Sequence, residues 1–160
     1  MIEELFSLGM KRELPIFKDW KGREVNINIG AGKQIIENTK NLDLPNYDAN
    51  VDRIPYVDNS VDVIHCYHLI EHLDDVPFFL SECQRVLKSG GIMNICVPHF
   101  SCSAAWQDFT HTRGVAVDAF KNLFATEFYH KINWEFNING SILIAITERN
   151  TAIIAQLEKC

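Results

Sequence analysis

Two short stretches of this 160-residue sequence carry many side chains that can move protons or bind ions. Their reactive residues are Tyr67, His68, Glu71 and His72 in the first stretch, and Trp106, Asp108, His111 and Arg113 in the second. A histidine titrates near neutral pH and can act as a general base. We therefore take His68, His99, Asp108 and His111 as candidates for substrate contact or proton removal. The alternative for the second stretch is a hydrogen-bonded loop scaffold.

A third stretch combines a strand, a glycine turn and an acid. Apolar and polar residues alternate from Val25 to Ile29, which predicts a short strand. The strand opens into Gly30-Ala31-Gly32, and glycine permits both a sharp turn and the close approach of a ligand. Asp43 ends a second short apolar segment and so lies at the tip of a second strand. In nucleotide-binding sheets, an acid at this place accepts hydrogen bonds from ribose hydroxyls.

The first stretch also fits a zinc motif. The segment His68-Leu69-Ile70-Glu71-His72 has the spacing H-x-x-E-H, in which two histidines bind zinc and the glutamate is the base of a metal-dependent hydrolase. Such motifs lie inside a long helix, whereas this one follows a buried strand and precedes a helix cap at Asp74 or Asp75. We therefore predict no metal site. In the simpler interpretation, Glu71 and His72 bond to buried backbone groups at a strand-to-helix turn.

The centre of the sequence predicts a strand, a helix and a second strand. Val61–Cys66 is a buried central strand, and apolar residues then recur at three- and four-residue intervals between Val76 and Leu87. Lys88-Ser89-Gly90-Gly91 is expected to end that helix. Ile92–Val97 is the next buried strand. A unit of this kind makes the two strands parallel and its connection right-handed.

The connections around Asp43 are short. Both are too short for an ordinary parallel crossover, which usually contains a helix. We therefore expect the first two crossover helices to be shortened or absent, with only a stub of strand at Asn50–Asp52. A parallel sheet normally has both faces covered, so one face should expose apolar surface. We predict a homodimer through this thin face or docking onto a larger assembly, unless a helix near Ile2–Met10 folds over it.

The C-terminal third predicts a short helix at Val115–Phe124, followed by three strands. The predicted strands are residues 131–138, 141–147 and 151–157. Asn139-Gly140 joins the first two and is a strong hairpin signal. The fold class is therefore α/β, with a mostly parallel sheet that ends in an antiparallel hairpin.

Composition restricts the classes of function. A 47% hydrophobic chain of this length fits one domain over residues 1–160. The net charge of −6 argues against binding to nucleic acid. No apolar run is long enough for a membrane span, and Met1–Leu8 lacks the features of a signal peptide. Five cysteines without a C-x-x-C pair indicate free thiols. We expect a cytoplasmic protein with a small-molecule partner.

Four segments together resemble the successive motifs of class I S-adenosylmethionine-dependent methyltransferases. In order, they are GAGK, the acid Asp43, IPYVDNSVDVIHCYHLIEHL and ECQRVLKSGGIMNICVP, within residues 25–98. The resemblance implies a Rossmann-like fold, S-adenosylmethionine as cofactor and methyl transfer to an unidentified acceptor. Lys33-Gln34 stands where a dinucleotide-binding fold places its third glycine and first helix. This departure disfavours a nucleotide-dependent oxidoreductase, because S-adenosylmethionine has no pyrophosphate to rest on a helix N-terminus.

The resemblance also implies roles for individual residues. Gly30 and Gly32 would contact the methionyl part of the cofactor, and Asp43 its ribose. Asp52 would accept a hydrogen bond from the adenine amino group. The other residues implied at the cofactor are Asn28, Ala31, Leu44, Arg53, Ile54, Cys66 and Tyr67, the last two near the sulfonium.

Three further points concern the acceptor side. Some methyltransferases that resemble this stretch hold a divalent ion with an E-x-x-E-H motif, but here His68 replaces the first acid. D-x-x-H, which is Asp108 and His111 here, also recurs in similar methyltransferases. If the acceptor is a hydroxyl, His111 or His68 could serve as the base. A non-catalytic S-adenosylmethionine-binding protein is the alternative function.

Overall fold

In the computed structural model the described residues are 22–122, 136–137 and 152–159. Within them, six strands form one sheet with helices joined to its strands. The strands are β1 (Asn26–Ile29), β2 (Lys40–Leu42), β3 (Val61–Tyr67), β4 (Leu87–Pro98), β5 (Phe136–Asn137) and β6 (Ala152–Lys159). The helices are α1 (Val76–Val86) and α2 (Val117–Asn122), and single 3-10 turns lie at Ile70–His72 and Ser103–Ala105.

The strand order is β2-β1-β3-β4-β6-β5. The first four strands in this order run parallel, whereas β6 pairs antiparallel with both β4 and β5. The predicted α/β fold with a mostly parallel sheet and an antiparallel C-terminal end is therefore confirmed. The carboxyl ends of β1, β2, β3 and β4 lie at one edge, where open α/β sheets bind their ligands.

Helix α1 begins at the N-cap that its sequence predicts. Asp75 is the N-cap, and its side chain accepts a hydrogen bond of 2.9 Å from the Phe78 N–H. The helix ends at Val86, and β4 begins at the next residue rather than at Ile92. Residues 88–91, where we predicted the end of the helix, are therefore part of β4. They form a local irregularity in the pairing of β4 with β3, and Gly90 there has a φ of +74°.

The main core lies between α1 and one face of the sheet. Phe79, Leu80 and Cys83 of the helix are buried against strand residues that include Ile64 and Ile95. Contacts in the main core thus hold β3 and β4 against helix α1. The carboxyl ends of these two strands carry the reactive side chains. Burial of this apolar surface is the main favourable contribution to folding.

The second face of the sheet differs from our prediction. Its residues Asn28, His65, Asn94 and Gln156 are polar, yet each is at least 96% buried. Gln156 Nε2 donates to Asn94 Oδ1 at 2.9 Å, so part of this face is a hydrogen-bonded network across strands. Strands β1, β2, β3, β4 and β6 expose no large hydrophobic side chain. The exposed apolar face on which we based the homodimer is therefore absent from them.

The connections on both sides of β2 contain no helix, as predicted. The strand predicted at Asn50–Asp52 is wrong, because these residues form a turn. Asp48 closes this turn by accepting hydrogen bonds from the N–H groups of Val51 and Asp52 on its carbonyl, and from that of Asn50 on its side chain. Such local bonds compete with strand pairing.

Among the described residues, no helix has both the length and the apolar character needed to cross a bilayer. The predicted N-terminal helix, the strand at residues 141–147 and the Asn139-Gly140 turn lie outside the described residues. The prediction of a single domain over residues 1–160 stays a prediction for the same reason. Helix α2 falls within the predicted Val115–Phe124.

Candidate active site

The glycine turn joins β1 to the neighbouring strand. Gly30 and Gly32 have φ values of +69° and +51°, which favour glycine over residues that carry a Cβ atom. The Gly30 N–H donates to the Leu42 carbonyl at 2.9 Å, so the end of β1 is fastened to the end of β2. The acid that follows β2 is thereby held next to the turn.

Asp43 is bonded directly to the glycine turn. Its Oδ2 accepts a 2.6 Å hydrogen bond from the Gly32 N–H, and its Oδ1 accepts one of 2.8 Å from the Leu44 N–H. A carboxylate offers about four lone-pair positions, so it can still accept hydrogen bonds from a diol. The structure therefore brings together the turn and the acid that the sequence analysis paired.

The two glycines have different surroundings. A Cβ atom on Gly30 would lie 2.8 Å from a methyl carbon of Leu69, whereas one on Gly32 would meet nothing within 4 Å. Leu69, which follows β3, thus closes the Gly30 side of the turn. The open space lies at Gly32, so this side of the turn has room for a ligand.

Three residues beside the turn have contrasting positions. Asn28 is 1% exposed, and its Nδ2 donates to the Gln34 carbonyl at 3.0 Å. It therefore holds the chain that follows the turn. Ala31 is 5% exposed, whereas Leu44 is 68% exposed at the rim.

The β2–β3 loop, residues 43–60, carries the predicted adenine contacts and is fixed by helix α1. Glu82 Oε2 accepts a 3.0 Å hydrogen bond from the Ile54 N–H, and Arg85 Nη2 donates to the Ile54 carbonyl at 2.9 Å. Arg85 and Glu82 also pair at 2.7 Å. The hydrogen bond from Arg85 lowers the pKa of Glu82. Every one of these buried polar groups has a partner.

The three residues predicted to contact adenine lie in this loop. Asp52 Oδ2 accepts from the Asp48 N–H at 2.8 Å, and Ile54 is 1% exposed. The Arg53 side chain is mostly exposed and contacts Glu82 at 3.3 Å. Glu82 and Arg85 belong to the amphipathic helix that the sequence predicts, but nothing in their spacing indicates that they hold this loop.

Cys66 and Tyr67 end β3 with their side chains on opposite faces of the sheet. Cys66 lies in the main core, and burial raises the pKa of its thiol. The Tyr67 hydroxyl lies 2.8 Å from His65 Nδ1 on the second face, and burial raises its pKa. Neither side chain extends from the carboxyl edge of the sheet, so a ligand there would meet their backbone.

His68 occupies the bend after β3. Its φ of +54° is unusual for a residue with a side chain, and its N–H donates to the Cys96 carbonyl at 2.8 Å. Nδ1 lies 3.3 Å from Glu71 Oε1, and Nε2 lies 3.9 Å from Cys96 Sγ. The contacts with Cys96 and Glu71 raise the pKa of His68 to about 10. A half-exposed His68 is thus protonated at neutral pH.

The β4–α2 loop, residues 99–116, is fastened onto the 3-10 turn that follows β3. The Thr112 N–H donates to the Glu71 carbonyl at 2.8 Å, and its hydroxyl donates to the Leu73 carbonyl at 3.1 Å. Arg113 also donates to the Leu73 carbonyl. These bonds bring His111 beside the 3-10 turn, although 38 residues of chain separate it from His72.

His72 and His111 face each other across this junction. Their ring centroids lie 4.6 Å apart in an edge-to-face arrangement. His111 Nδ1 lies 2.9 Å from the Ala105 carbonyl, and His72 Nδ1 lies 3.0 Å from the Thr110 hydroxyl oxygen. One ligand atom from each of Glu71, His72 and His111 lies within 4.8 Å of the others.

Asp108 acts on this cluster through Thr110. Its Oδ1 accepts from the Thr110 N–H at 2.8 Å and from the Thr110 hydroxyl at 2.7 Å. These two bonds lower the pKa of Asp108. Asp108 therefore stays ionised and orients Thr110, which in turn contacts His72.

The remaining candidate in the loop has a scaffold position. His99 is 8% exposed, with Nδ1 at 2.7 Å from the Ser101 hydroxyl oxygen. Trp106 donates to the Phe100 carbonyl at 2.6 Å, which shapes the loop. Phe109 is fully exposed, so the loop also presents aromatic surface next to His111.

Comparison with known proteins gives matches to methyltransferases. A family model described as a methyltransferase domain matches residues 17–95. A probable S-adenosylmethionine-dependent methyltransferase of Mycolicibacterium smegmatis is 44% identical over 50 residues, which are 31% of this chain and 20% of that protein. A Mycobacterium tuberculosis protein described in the same words is 34% identical over 79 residues, 47% of this chain and 29% of its own. The chain thus covers less than a third of these relatives.

Solved structures show the same fold over more of the chain. A SAM-dependent methyltransferase from Archaeoglobus fulgidus has a TM-score of 0.62 at 16% identity and covers 87% of both chains. A Thermotoga maritima methyltransferase, described as a possible histamine N-methyltransferase, has a TM-score of 0.58 at 14% identity, with 85% of this chain and 82% of its own covered. At these identities the likeness concerns the fold alone.

Proposed function

Because this chain belongs to the class I S-adenosylmethionine-dependent methyltransferases, we propose that it transfers a methyl group to a small-molecule acceptor. The observation that carries this proposal is the 2.6 Å hydrogen bond between Asp43 and the Gly32 N–H. It unites the strand ends where this class of sheet binds its ligand. The aromatic surface at Phe109 supports an acceptor with an apolar part.

The residues at the glycine turn fit the cofactor. The space beside Gly32 is open, and the Asp43 carboxylate keeps acceptor positions for the ribose hydroxyls. Ile54 and its neighbours, held by Glu82 and Arg85, would border the adenine. S-adenosylmethionine, when bound, supplies an electrophilic methyl group, so the protein's main task is to align the acceptor with it.

The acceptor side offers a nitrogen suited to proton removal on His111. His111 Nδ1 donates to the Ala105 carbonyl, which leaves the Nε2 lone pair free to take a proton from an acceptor hydroxyl. His68 is less suited, because its raised pKa of about 10 keeps it protonated. His68 would instead donate a hydrogen bond or present a positive charge to the acceptor. Asp108 would position His72 through Thr110.

Calorimetry with S-adenosylhomocysteine tests the cofactor side. We expect wild-type protein to bind this product and not a nicotinamide dinucleotide. Asp43→Ala should weaken binding about tenfold or more, because it removes hydrogen bonds to a charged acceptor. Glu37→Gln, an exposed acid in the β1–β2 connection, is the control. Equal affinity of wild type and a folded Asp43→Ala would contradict the assignment.

A screen of small acceptors with methyl-labelled cofactor tests the transfer itself. Label should move to an acceptor in wild type and at a much lower rate in His111→Ala. Cofactor binding without transfer to any acceptor would favour the non-catalytic alternative. The metal-dependent hydrolase loses its structural basis, because Ile70–His72 is a single 3-10 turn and not part of a long helix.

We also propose that the protein works in the cytoplasm with free thiols, since Cys66, Cys83, Cys96 and Cys102 are all unpaired with one another. A homodimer stays a proposal, now without the exposed apolar face that first suggested it. Sedimentation at high concentration tests it, and a monomer would end it.

A further inference from the structure

The cluster of Glu71, His72 and His111 has the composition of a metal site. One carboxylate and two imidazoles offer ligand atoms within 4.8 Å of one another. A zinc ion bonded at about 2.0–2.2 Å joins atoms up to about 4.2 Å apart. A small rotation of the half-buried histidines is therefore enough to close the cluster around an ion.

Glu71 provides the first independent indication of a ligand. Its side chain is 2% exposed, and neither carboxylate oxygen accepts a hydrogen bond of normal geometry. His68 Nδ1 is its nearest charged neighbour, at 3.3 Å and half-exposed. Oε1 thus has one ion pair and Oε2 has no partner in the described part of the chain, whereas native proteins usually satisfy both oxygens of a buried carboxylate or use them to bind a metal. The sequence-based interpretation, in which Glu71 bonds to buried backbone groups, does not describe its side chain.

The two imidazoles provide the second indication. A carbonyl oxygen can only accept, so Nδ1 of His111 carries its proton and donates to Ala105. The Thr110 hydroxyl donates to Asp108, so it accepts from Nδ1 of His72. In both rings the lone pair is therefore on Nε2. Metal-binding histidines typically donate their other N–H to a carbonyl or a carboxylate-linked group in this way.

We propose that Glu71, His72 and His111 bind a divalent transition metal, for which zinc is the best match. Imidazole ligands select zinc over magnesium or calcium, and two histidines with one glutamate leave a coordination position open. Because Glu71 follows Leu69, which covers Gly30, the ion would lie at the same edge of the sheet as the glycine turn. The open position would take an acceptor oxygen.

This assignment changes the role of His111. With its Nε2 on the metal, His111 would be a ligand and not the base. The metal would lower the pKa of the acceptor hydroxyl, so that solvent water could take its proton. Metal binding itself does not depend on methyl transfer. A metal-binding protein that transfers no methyl group, or the reverse, would separate the two proposals.

Zinc titration of the full chain tests the site, with the folded state of each variant checked by circular dichroism. We expect one zinc per chain in wild type. Glu71→Gln and His111→Asn should each lower the affinity by on the order of 100-fold, and Asp108→Asn by about tenfold as an orienting group. Glu37→Gln, an exposed acid outside the cluster, is the control and should bind zinc as wild type does. His68→Asn, in which Asn tolerates the positive φ, separates this cluster from the H-x-x-E-H motif, because it should still bind zinc.

Several results would overturn the proposal. The first is that wild type binds no zinc, and the second is that folded Glu71→Gln binds it with unchanged affinity. The third is that His68→Asn loses zinc binding while His111→Asn keeps it, which would assign the metal to the H-x-x-E-H motif instead. Glu71→Gln decides the matter if His111→Asn does not fold. Substitution with cobalt adds a spectroscopic test, since a thiolate charge-transfer band would place the metal on cysteine instead.

Discussion

The two loops at the carboxyl edge of the sheet treat buried polar groups in opposite ways. In the β2–β3 loop, Glu82 and Arg85 satisfy each other and the backbone of Ile54. In the β3–α1 loop, Glu71 is equally buried, but its Oε1 has only a 3.3 Å ion pair with half-exposed His68 and its Oε2 has no partner among the described residues. The first arrangement fixes the loop that, in our proposal, borders the cofactor. The second leaves a carboxylate oxygen available for the ligand that we propose, as functional sites often do.

The largest expected change in stability follows from removal of the hydrogen-bonded carboxylate of Glu82. Glu82→Met should lower the free energy of unfolding by about 3–5 kcal/mol, because Arg85 and the Ile54 N–H lose their buried partner. Urea denaturation measures this change. Glu37→Met replaces an exposed glutamate and should stay within about 0.5 kcal/mol of wild type. A small effect of Glu82→Met would mean that the ion pair does not hold the loop.

A second experiment tests the premise that burial of a polar group is costly in this sheet. Burial lowers the pKa of His65 to about 4, from about 6.5 when unfolded. Between these values the unfolded chain binds a proton that folded His65 does not, so stability falls as pH falls. From pH 6.5 to 5 the loss should reach about 1–2 kcal/mol.

His65→Gln serves as the comparison for this pH dependence. The variant removes the titrating group, so its free energy of unfolding should fall less between pH 6.5 and 5. Asp62 and Glu82 have lowered pKa values, so the stability that they add is lost mainly below this window. Equal slopes for variant and wild type would show that His65 is protonated in the folded state.

The contrast between the loops also explains which parts of the fold and of the site could be predicted from the sequence. Strand periodicity and the glycine turn predicted β1, β3 and the position of Asp43, because these depend on local spacing. Glu82 and Arg85 read as ordinary charges on a helix, since their bonds reach across 28 and 31 residues to Ile54. The strand predicted at Asn50–Asp52 is wrong, because the Asp48 side chain accepts a hydrogen bond that helps to close a turn, and periodicity does not reveal such a bond.

The sequence analysis singled out Glu71, His72 and His111 but did not predict that they lie together. The H-x-x-E-H spacing joined His68 to Glu71 and His72, as a helix would. The bend at His68 ends β3, and Thr112 fastens the distant β4–α2 loop to the 3-10 turn. His111 therefore joins Glu71 and His72 in the cluster. Such a grouping arises from hydrogen bonds to the backbone, for which Thr112 gives no sequence signal.

The smallest expected effect has the opposite sign to the first. Glu71→Met replaces the unsatisfied carboxylate by an apolar group of similar size, so the metal-free protein should gain about 1 kcal/mol of stability. His68 loses only a half-exposed contact. Urea denaturation with a chelator measures the difference against wild type, and added zinc should reverse it by stabilising wild type alone. If Glu71→Met is destabilised as strongly as Glu82→Met, then Glu71 is a satisfied structural group and the two loops do not differ.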